Sequence, residues 1–366
     1  MTAPPDPRAA PDPHGTAHPG AAHLRIATWN VEWFDALFDD DGRMLEDAEP
    51  SRRFGVSRAD QLAAIGIVMT AINADALLVV EAPNQGRKRS TVRALETFAA
   101  ACGLRTTRAL IGFPSPTEQE LALLFDPAVL TALHDPQGEA TGKKGAYDAP
   151  RFDGVFRIDL DLDGVEDTIV FARPPLELLV TPARGAPFRM IGVHTKSKAP
   201  HGARSPDEVT RLGIENRRKL LAQCHWLRRR VLGHLAAADP LIVLGDMNDG
   251  PGLDEYEHLF GRSGVEVVMG LGDPPPLRLH DPNARKAFRR SPGLMPSSAR
   301  FYMEDEDRFF PALLDYIMVS PDIAARCPRW RIWHPFDDPA CWGVVELRDA
   351  LLTASDHFPV TLDLPL

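Results

Sequence analysis

Cysteine is scarce in this sequence. Cys102, Cys224, Cys327 and Cys341 are the only four in 366 residues, and they lie far apart. That scatter excludes a disulfide framework and any paired zinc-ligand spacing. Buried thiols in a reducing compartment are the expectation, and the cytoplasm is the compartment read from it. Long apolar runs are missing too: no stretch approaches the roughly 18 uninterrupted apolar residues of a membrane span. The first residues carry Pro4, Pro5, Pro7, Pro11, Pro13 and Pro19 but no apolar segment, so they do not read as a secretory signal. Positive charge is in deficit, with 41 Lys and Arg against 51 Asp and Glu, a net of −10. Such a chain gains little from non-specific attraction to a polyanion, which excludes a scaffolding role on nucleic acid. Chemistry on phosphates stays open, because a site needs only a local positive field. No protein partner can be read from the sequence.

What is present is ordinary globular composition, 44% hydrophobic and 25% charged. Residues 1–23 read as a Pro/Ala/Gly tail unable to bury enough surface to fold, and His14, His18 and His23 within it read as solvated. Residues 24–366 read as one layered α/β domain in which strand and helix signals alternate. Leu24 to Val31, Ala76 to Val80, Leu121 to Phe125, Phe188 to His194, Leu241 to Leu244, Leu313 to Val319 and Phe358 to Leu364 read as strands. Ser57 with Asp60 resembles a capping box ahead of apolar residues at helical spacing. Ser90 opens a second helix that Gly103 stops, and Asp207 to about Leu235 reads as a long one. The interval from about 262 to 312 is rich in proline and charge without a clear period, and is expected to form loops over one rim.

Polar residues gather where the strands stop. Asn30, Glu81, His194, Asp246 with Asn248, and Asp315 each mark a strand end, and Ser355-Asp356-His357 precedes the final strand. Catalytic groups concentrate on loops fixed by a rigid scaffold. Carboxylates and amide oxygens are hard ligands suited to Mg²⁺ or Mn²⁺, which share their sites with substrate phosphate. His194 and His357 can donate to a phosphoryl oxygen or relay a proton, and an Asp such as Asp315 would fix an imidazole's tautomer. Each motif alone has a bland explanation as a turn, a cap or a structural histidine. Their joint occurrence carries the functional reading.

Thr28-Trp29-Asn30, Val80-Glu81, Val193-His194-Thr195-Lys196-Ser197, Gly245-Asp246-Met247-Asn248-Asp249, Leu314-Asp315-Tyr316-Ile317 and Ser355-Asp356-His357 follow one another in that order. In this the chain resembles the endonuclease/exonuclease/phosphatase superfamily from about residue 24 to residue 366. The resemblance implies a four-layer α/β/β/α sandwich, two packed mixed β-sheets with outer helices, and an active site at one edge. It implies metal ligation by Glu81, Asn30 and Asp356, and a water-orienting role for Asp246 and Asn248. It implies His357 as base or phosphate ligand with Asp315 as its partner, and His194 near the leaving-group oxygen. The residue before Glu81 is Val80 where many members have Gln. No residue matches the active-site Tyr of the AP endonucleases, which argues against abasic-site cleavage.

The segment from Arg184 to Arg230 carries twelve Lys/Arg and three Asp/Glu, a local net of +9. Within it Lys196 reads as a phosphate contact, while Arg217, Arg218 and Arg228 to Arg230 read as the solvated face of a helix. Arg87-Lys88-Arg89 sits just beyond Glu81 and could add to the field. Arg173, in Arg173-Pro174-Pro175-Leu176, starts another apolar strand and resembles an Arg found there in bacterial relatives, with a phosphate contact and a structural role both open. Trp29 and Trp33 flank Asn30 and read as core residues, and Glu304 to Asp307 as a solvated acidic loop. The leading reading is a metal-dependent phosphodiesterase, most simply a nuclease on DNA or RNA. The alternatives are an esterase for an inositol phosphate, nucleotide or phospholipid headgroup, and a phosphate-binding protein without turnover.

Overall fold

The structure, a computed structural model, describes residues 23–117, 119–160, 164–250, 254, 257–289, 295–303 and 307–366. The chain opens with β1 (His23–Asn30), α1 (Arg58–Ile72), β2 (Ala76–Pro83), α2 (Thr91–Ala101), β3 (Arg108–Ile111), β4 (Gln119–Phe125) and β5 (Leu130–His134). A small ribbon of β6 (Phe156–Ile158) and β7 (Asp167–Ile169) precedes β8 (Leu176–Pro182), β9 (Phe188–His194), α3 (Pro206–Ala236) and β10 (Leu241–Asp246). Then come α4 (Gly264–Met269), α5 (Pro282–Phe288), the antiparallel pair β11 (Ala299–Met303) and β12 (Arg308–Ala312), and β13 (Asp315–Val319). The chain closes with α6 (Pro321–Ala324), β14 (Arg329–Ile332), α7 (Pro339–Gly343), α8 (Val345–Ala354) and β15 (Val360–Pro365).

Two mixed sheets form the centre, ordered β14-β15-β1-β2-β4-β3 and β13-β10-β9-β8-β5. In each, one parallel pair (β1 with β2, β9 with β10) is flanked by antiparallel neighbours. The period-2 alternation of strand side chains builds the layers. Leu24 and Ile26 of β1, Leu78 and Val80 of β2, and Ile242 and Leu244 of β10 pack into one core between the sheets. The opposite faces, Ala27, Trp29, Leu77 and Val79, pack under α1, α2 and α8, and Leu241 and Val243 pack under α3 and α4. Helices thus cover the outer face of each sheet, and the expected four-layer sandwich is what the chain adopts. The sheets approach closely at Gly192, where an added Cβ would come within 2.5 Å of Leu78.

Caps set the helices as the sequence leads one to expect. The Ser57 hydroxyl accepts the Asp60 N–H at 3.1 Å, and Ser90 and Ser205 cap α2 and α3 in the same way. Four readings need correction. The interval 262–312 is not a run of loops: it holds α4, α5 and the β11–β12 pair, whose short lengths leave too few turns for a period to emerge. β2 does not stop at Glu81 but runs to Pro83 through a bulge between Val80 and Ala82. Arg228 and Arg230 are buried, not solvated, because each has a partner: Asp273 for Arg228 and the buried Glu177 for Arg230. None of the cysteines is in a disulfide, but only Cys224 and Cys341 are buried, while Cys327 is exposed. His23 opens β1, and residues 1–22 of the tail lie outside the described residues. Residues 304–306 of the acidic run do so as well. Among the described residues no helix is long and apolar enough to cross a membrane.

Candidate active site

Parallel strands end, and antiparallel strands begin, at the same edge of a sheet. At that edge of the second sheet His194 ends β9, Asp246 ends β10 and Asp315 begins β13, with Asp246 in register with both. At the matching edge of the first sheet Asn30 ends β1 beside Val80, and Glu81 follows. Asn30, His194, Asp246 and Asp315 all stand on the strand faces whose other positions, earlier in β1, β9 and β10 and later in β13, supply the inter-sheet core. The site is therefore the polar end of that core. Glu81 falls on the wrong parity for this, and the bulge corrects it: its φ of +62° turns the carboxylate toward the cleft. Gly245, with φ +133°, brings its backbone so near β9 that a Cβ would lie 2.0 Å from the Val193 carbonyl oxygen.

A cleft of about 1140 Å³ opens here, lined by Asn30, Glu81, Arg173, His194, Lys196, Asp246, Asn248, Asp356 and His357. The remaining candidate, Asp315, stands behind His357 and accepts from its Nδ1 at 2.8 Å. All ten candidates from the sequence are thus brought together. Arg87-Lys88-Arg89 is not part of this cleft. Lys88 pairs with Asp40, and Arg89 donates to the backbone oxygens of Asp35, Phe38 and Asp39, holding a neighbouring loop. Arg173 precedes β8 rather than starting it. Of the two tryptophans, Trp29 is core and donates from Nε1 to the His357 carbonyl at 2.9 Å, while Trp33 lines the cleft.

Asp246 is the hub. Its Oδ2 accepts from Asn30 Nδ2 at 3.0 Å and its Oδ1 from the Asn248 backbone N–H at 2.7 Å. His194 Nε2 lies 3.6 Å from the same Oδ2. Burial raises the Asp246 carboxyl to about 6, against the pull of His357 and its hydrogen bonds. Burial likewise raises Glu81 to about 7, although the Trp33 N–H, donating at 3.1 Å, and Arg173 favour its ionised form. Asp356 is raised to about 7 by burial, with His357 opposing. The two imidazoles diverge. Burial, then the nearby Arg173 and His357, hold His194 well below the ordinary histidine range. Burial would lower His357 too, but Asp315, Asp246 and Asp356 outweigh it and hold that ring well above the usual value. The two rings are thus pushed apart, His194 toward the neutral imidazole and His357 toward the cation.

Further residues in this geometry were not singled out from sequence. The Ser298 hydroxyl donates to Asp315 Oδ2 at 2.8 Å while accepting the Leu314 and Asp315 N–H groups. Glu32, ion-paired with Arg53, accepts the Asp356 N–H at 3.0 Å. Gln119 accepts from Arg173 Nη1 at 2.7 Å, and Arg173 Nη2 donates to the Thr195 carbonyl at 3.1 Å. Glu32 and Gln119 carry a signal, each lying within two residues of a strand end. Ser298 has none, because it precedes a strand that shows no period.

The donor set suits a hard divalent cation. Three carboxyls, Glu81, Asp246 and Asp356, are all held above their usual range by burial, and a bound cation would favour their ionised forms. Among the described residues the buried Asn30 Oδ1 has no hydrogen-bond donor. One atom from each of Asp246, Asp315 and His357 also falls within 4.8 Å of the others, as a metal cluster would require. There, however, the His357 Nδ1 is already committed to Asp315, so this trio reads as an acid–base group. Glu81, Asn30 and Asp356 line the same cleft and could offer oxygens to a metal.

A search of curated proteins finds no match. Among solved structures the chain is similar to the 3′ phosphatase NExo from Neisseria bound to product DNA hairpin, at 15% identity and a TM-score of 0.49, covering 94% of this chain and 100% of that one. It is similar to truncated TDP2 from Caenorhabditis elegans, at 12% identity and a TM-score of 0.47, covering 94% and 98%. It is also similar to an AP endonuclease from Archaeoglobus fulgidus, at 14% identity and a TM-score of 0.47, covering 94% and 100%. A sequence model of the Endonuclease/Exonuclease/phosphatase family matches residues 27–357. That span takes in every strand end that lines the cleft, and the chain belongs to this family of phosphoesterase hydrolases, whose members generally depend on a divalent metal.

Proposed function

We propose that the protein is a Mg²⁺- or Mn²⁺-dependent phosphodiesterase, most simply a nuclease acting on DNA or RNA. One observation carries this reading: Asp246 is held by Asn30 and Asn248 in the same cleft as His357, whose Nδ1 is backed by Asp315. Asp246, with Asn248, orients a water and takes its proton for in-line attack on phosphorus. His357 commits Nδ1 to Asp315, which leaves Nε2 for a phosphoryl oxygen, where its positive charge stabilises the charge developing at phosphorus. His194 is neutral and completes the polar wall near the leaving-group oxygen. Arg173 and Lys196 contribute donors to the bound phosphate. Glu81, Asn30 and Asp356 would hold the cation, and neutralisation of charge on the phosphoryl and leaving oxygens is the chemistry it supplies when bound. The catalytic unit in this reading is residues 24–366, and we assign it to the cytoplasm, where scattered thiols stay reduced.

A second reading, an esterase for a small phosphate compound, has its own support. Lys198 reaches the cleft paired with Asp249 at 2.5 Å, and Arg217 is paired with Asp254. The basic segment therefore offers a long polyanion less net field than its composition suggests. Parallel assay of DNA, RNA, nucleotides, inositol phosphates and phosphomonoesters, with Mg²⁺ or Mn²⁺ and with EDTA, separates the two. Turnover of nucleic acid that EDTA abolishes is the expected result. Turnover confined to small esters selects the second reading. Metal-dependent binding without any turnover would identify a binding protein and overturn both.

A further inference from the structure

One wall of the cleft does no work in this chemistry. It is formed by Met295, Pro296, Phe301, Phe310 and Pro311, whose side chains carry no nitrogen or oxygen. Their arrangement follows from the β11–β12 register. Phe301 is directly opposite Phe310, and Tyr302 opposite Phe309, so the two aromatic pairs project to opposite faces of the ribbon. The outer pair faces solvent, Tyr302 52% and Phe309 47% exposed, and has partners of its own: the two rings lie 5.2 Å apart, and the Arg300 guanidinium covers Phe309 at 3.5 Å. The inner pair faces the cleft, and Phe310 is still 44% exposed there.

The ribbon is held against the reacting groups. Arg300 donates its N–H to the Asp356 carbonyl at 2.8 Å, and Phe358 donates to the Ser298 carbonyl at 2.6 Å. The Phe301 ring meets the His357 imidazole edge-on, with centroids 5.6 Å apart. An organic group esterified to a phosphate at His357 would thus lie within one ring width of this wall. Two fixed rings offer flat faces and edges, which favour another flat ring at 4.5–7 Å over a flexible chain. Because these five side chains carry no nitrogen or oxygen, the wall itself would recognise such a ring by stacking rather than by its substituents.

We propose that Phe301 and Phe310 form a stacking wall that selects phosphate esters whose alcohol carries a flat ring near the phosphate. This rests on the phosphoesterase reading above and gives that site its substrate class. The test is the calorimetric affinity, with Mn²⁺ present, for methyl phosphate, phenyl phosphate and thymidine 5′-monophosphate. It is run beside hydrolysis of bis(4-nitrophenyl) phosphate, on wild type and on Phe310→Ala, Phe310→Leu and Phe309→Ala. The ring-bearing esters are expected to bind wild type at least tenfold more tightly than methyl phosphate. Phe310→Ala removes that preference, Phe310→Leu keeps part of it, and Phe309→Ala, on the outer face, keeps all of it. A preference for phenyl phosphate alone or for the nucleotide alone supports the wall and identifies which ring it takes. Equal affinity for all three esters in wild type, or a uniform loss in Phe310→Ala, overturns the wall while turnover of the diester leaves the phosphoesterase reading standing. Failure of both phosphate binding and turnover overturns that reading and the wall with it.

Discussion

Asn30 and Asp246 meet across the seam between the two sheets, Nδ2 to Oδ2 at 3.0 Å. Each continues the inward face of its own strand, where Leu24 and Ile26 or Ile242 and Leu244 build the core. Asp246 is thus buried among other acids at a cost to the fold, with its carboxyl raised to about 6. Asp246→Ala should lower turnover by about 10²-fold or more, the usual value of a positioned acid–base group. It should leave the midpoint of thermal unfolding unchanged or higher, since it removes a buried charge. An active Asp246→Ala enzyme would eliminate the proposed role.

That parity explains how much could be read from the sequence. Asn30, His194, Asp246 and Asp315 are each an even number of residues from an inward apolar residue, so strand ends and alternation alone place them together. Glu81 breaks the parity, and only the bulge at Val80–Ala82 brings it in, a feature without a sequence signature here because a non-glycine residue takes the positive φ. Its place after an apolar strand singled it out as a candidate, but the resemblance, not periodicity, gave it a role in the site. The aromatic ribbon was invisible for another reason. Tyr302 and Phe309 are as apolar as the inner Phe301 and Phe310, so β11 and β12 show no alternation of polarity. Arg228 and Arg230 misled because their burial depends on Asp273 and Glu177, 45 and 53 residues distant.

The Ser298–Asp315–His357 chain predicts a graded effect. Asp315→Asn removes the charge that keeps His357 cationic and should cost about 10²–10⁴-fold in kcat. Ser298→Ala removes the hydroxyl's hydrogen bond to the Asp315 carboxylate and its acceptance of two N–H groups but leaves the charge, and a loss of about 1.4 kcal/mol in positioning corresponds to roughly tenfold. Single-turnover rates on a bis-aryl phosphate measure both. A Ser298→Ala enzyme as impaired as Asp315→Asn would mean that the serine does more than orient the acid.

Metal addition should stabilise the protein through the same carboxyls whose ionised forms are penalised without it. At a cation concentration of 100 times Kd the gain is about 2.7 kcal/mol, enough to raise Tm by several degrees in a domain of this size. Glu81→Gln removes the charge on the cleft-facing ligand, so its Tm should respond little to Mg²⁺ or Mn²⁺. Equal shifts in wild type and Glu81→Gln would show that the cation binds elsewhere.

Glu120, in β4 beside Gln119, predicts a pH dependence of stability away from the chemistry. Its carboxyl is almost fully enclosed and accepts N–H groups from Gln85 and Ser115, tying the loop after Glu81 to the loop before β4. Burial raises it to about 7, while those two hydrogen bonds pull the other way. A folded-state value above the unfolded one means that the folded protein binds the proton more tightly. The resulting stability is complete below the unfolded value near 4.5 and is lost as pH rises through about 7. The full change is roughly 3 kcal/mol, from about 2.5 units at 1.36 kcal/mol each. Glu120→Gln keeps an accepting oxygen but cannot ionise. Urea unfolding of both proteins at pH 5 and pH 8 reads the difference: wild type should lose more stability than the variant between the two. Equal losses would mean that Glu120 keeps its charge in the fold and that its two N–H donors outweigh its burial.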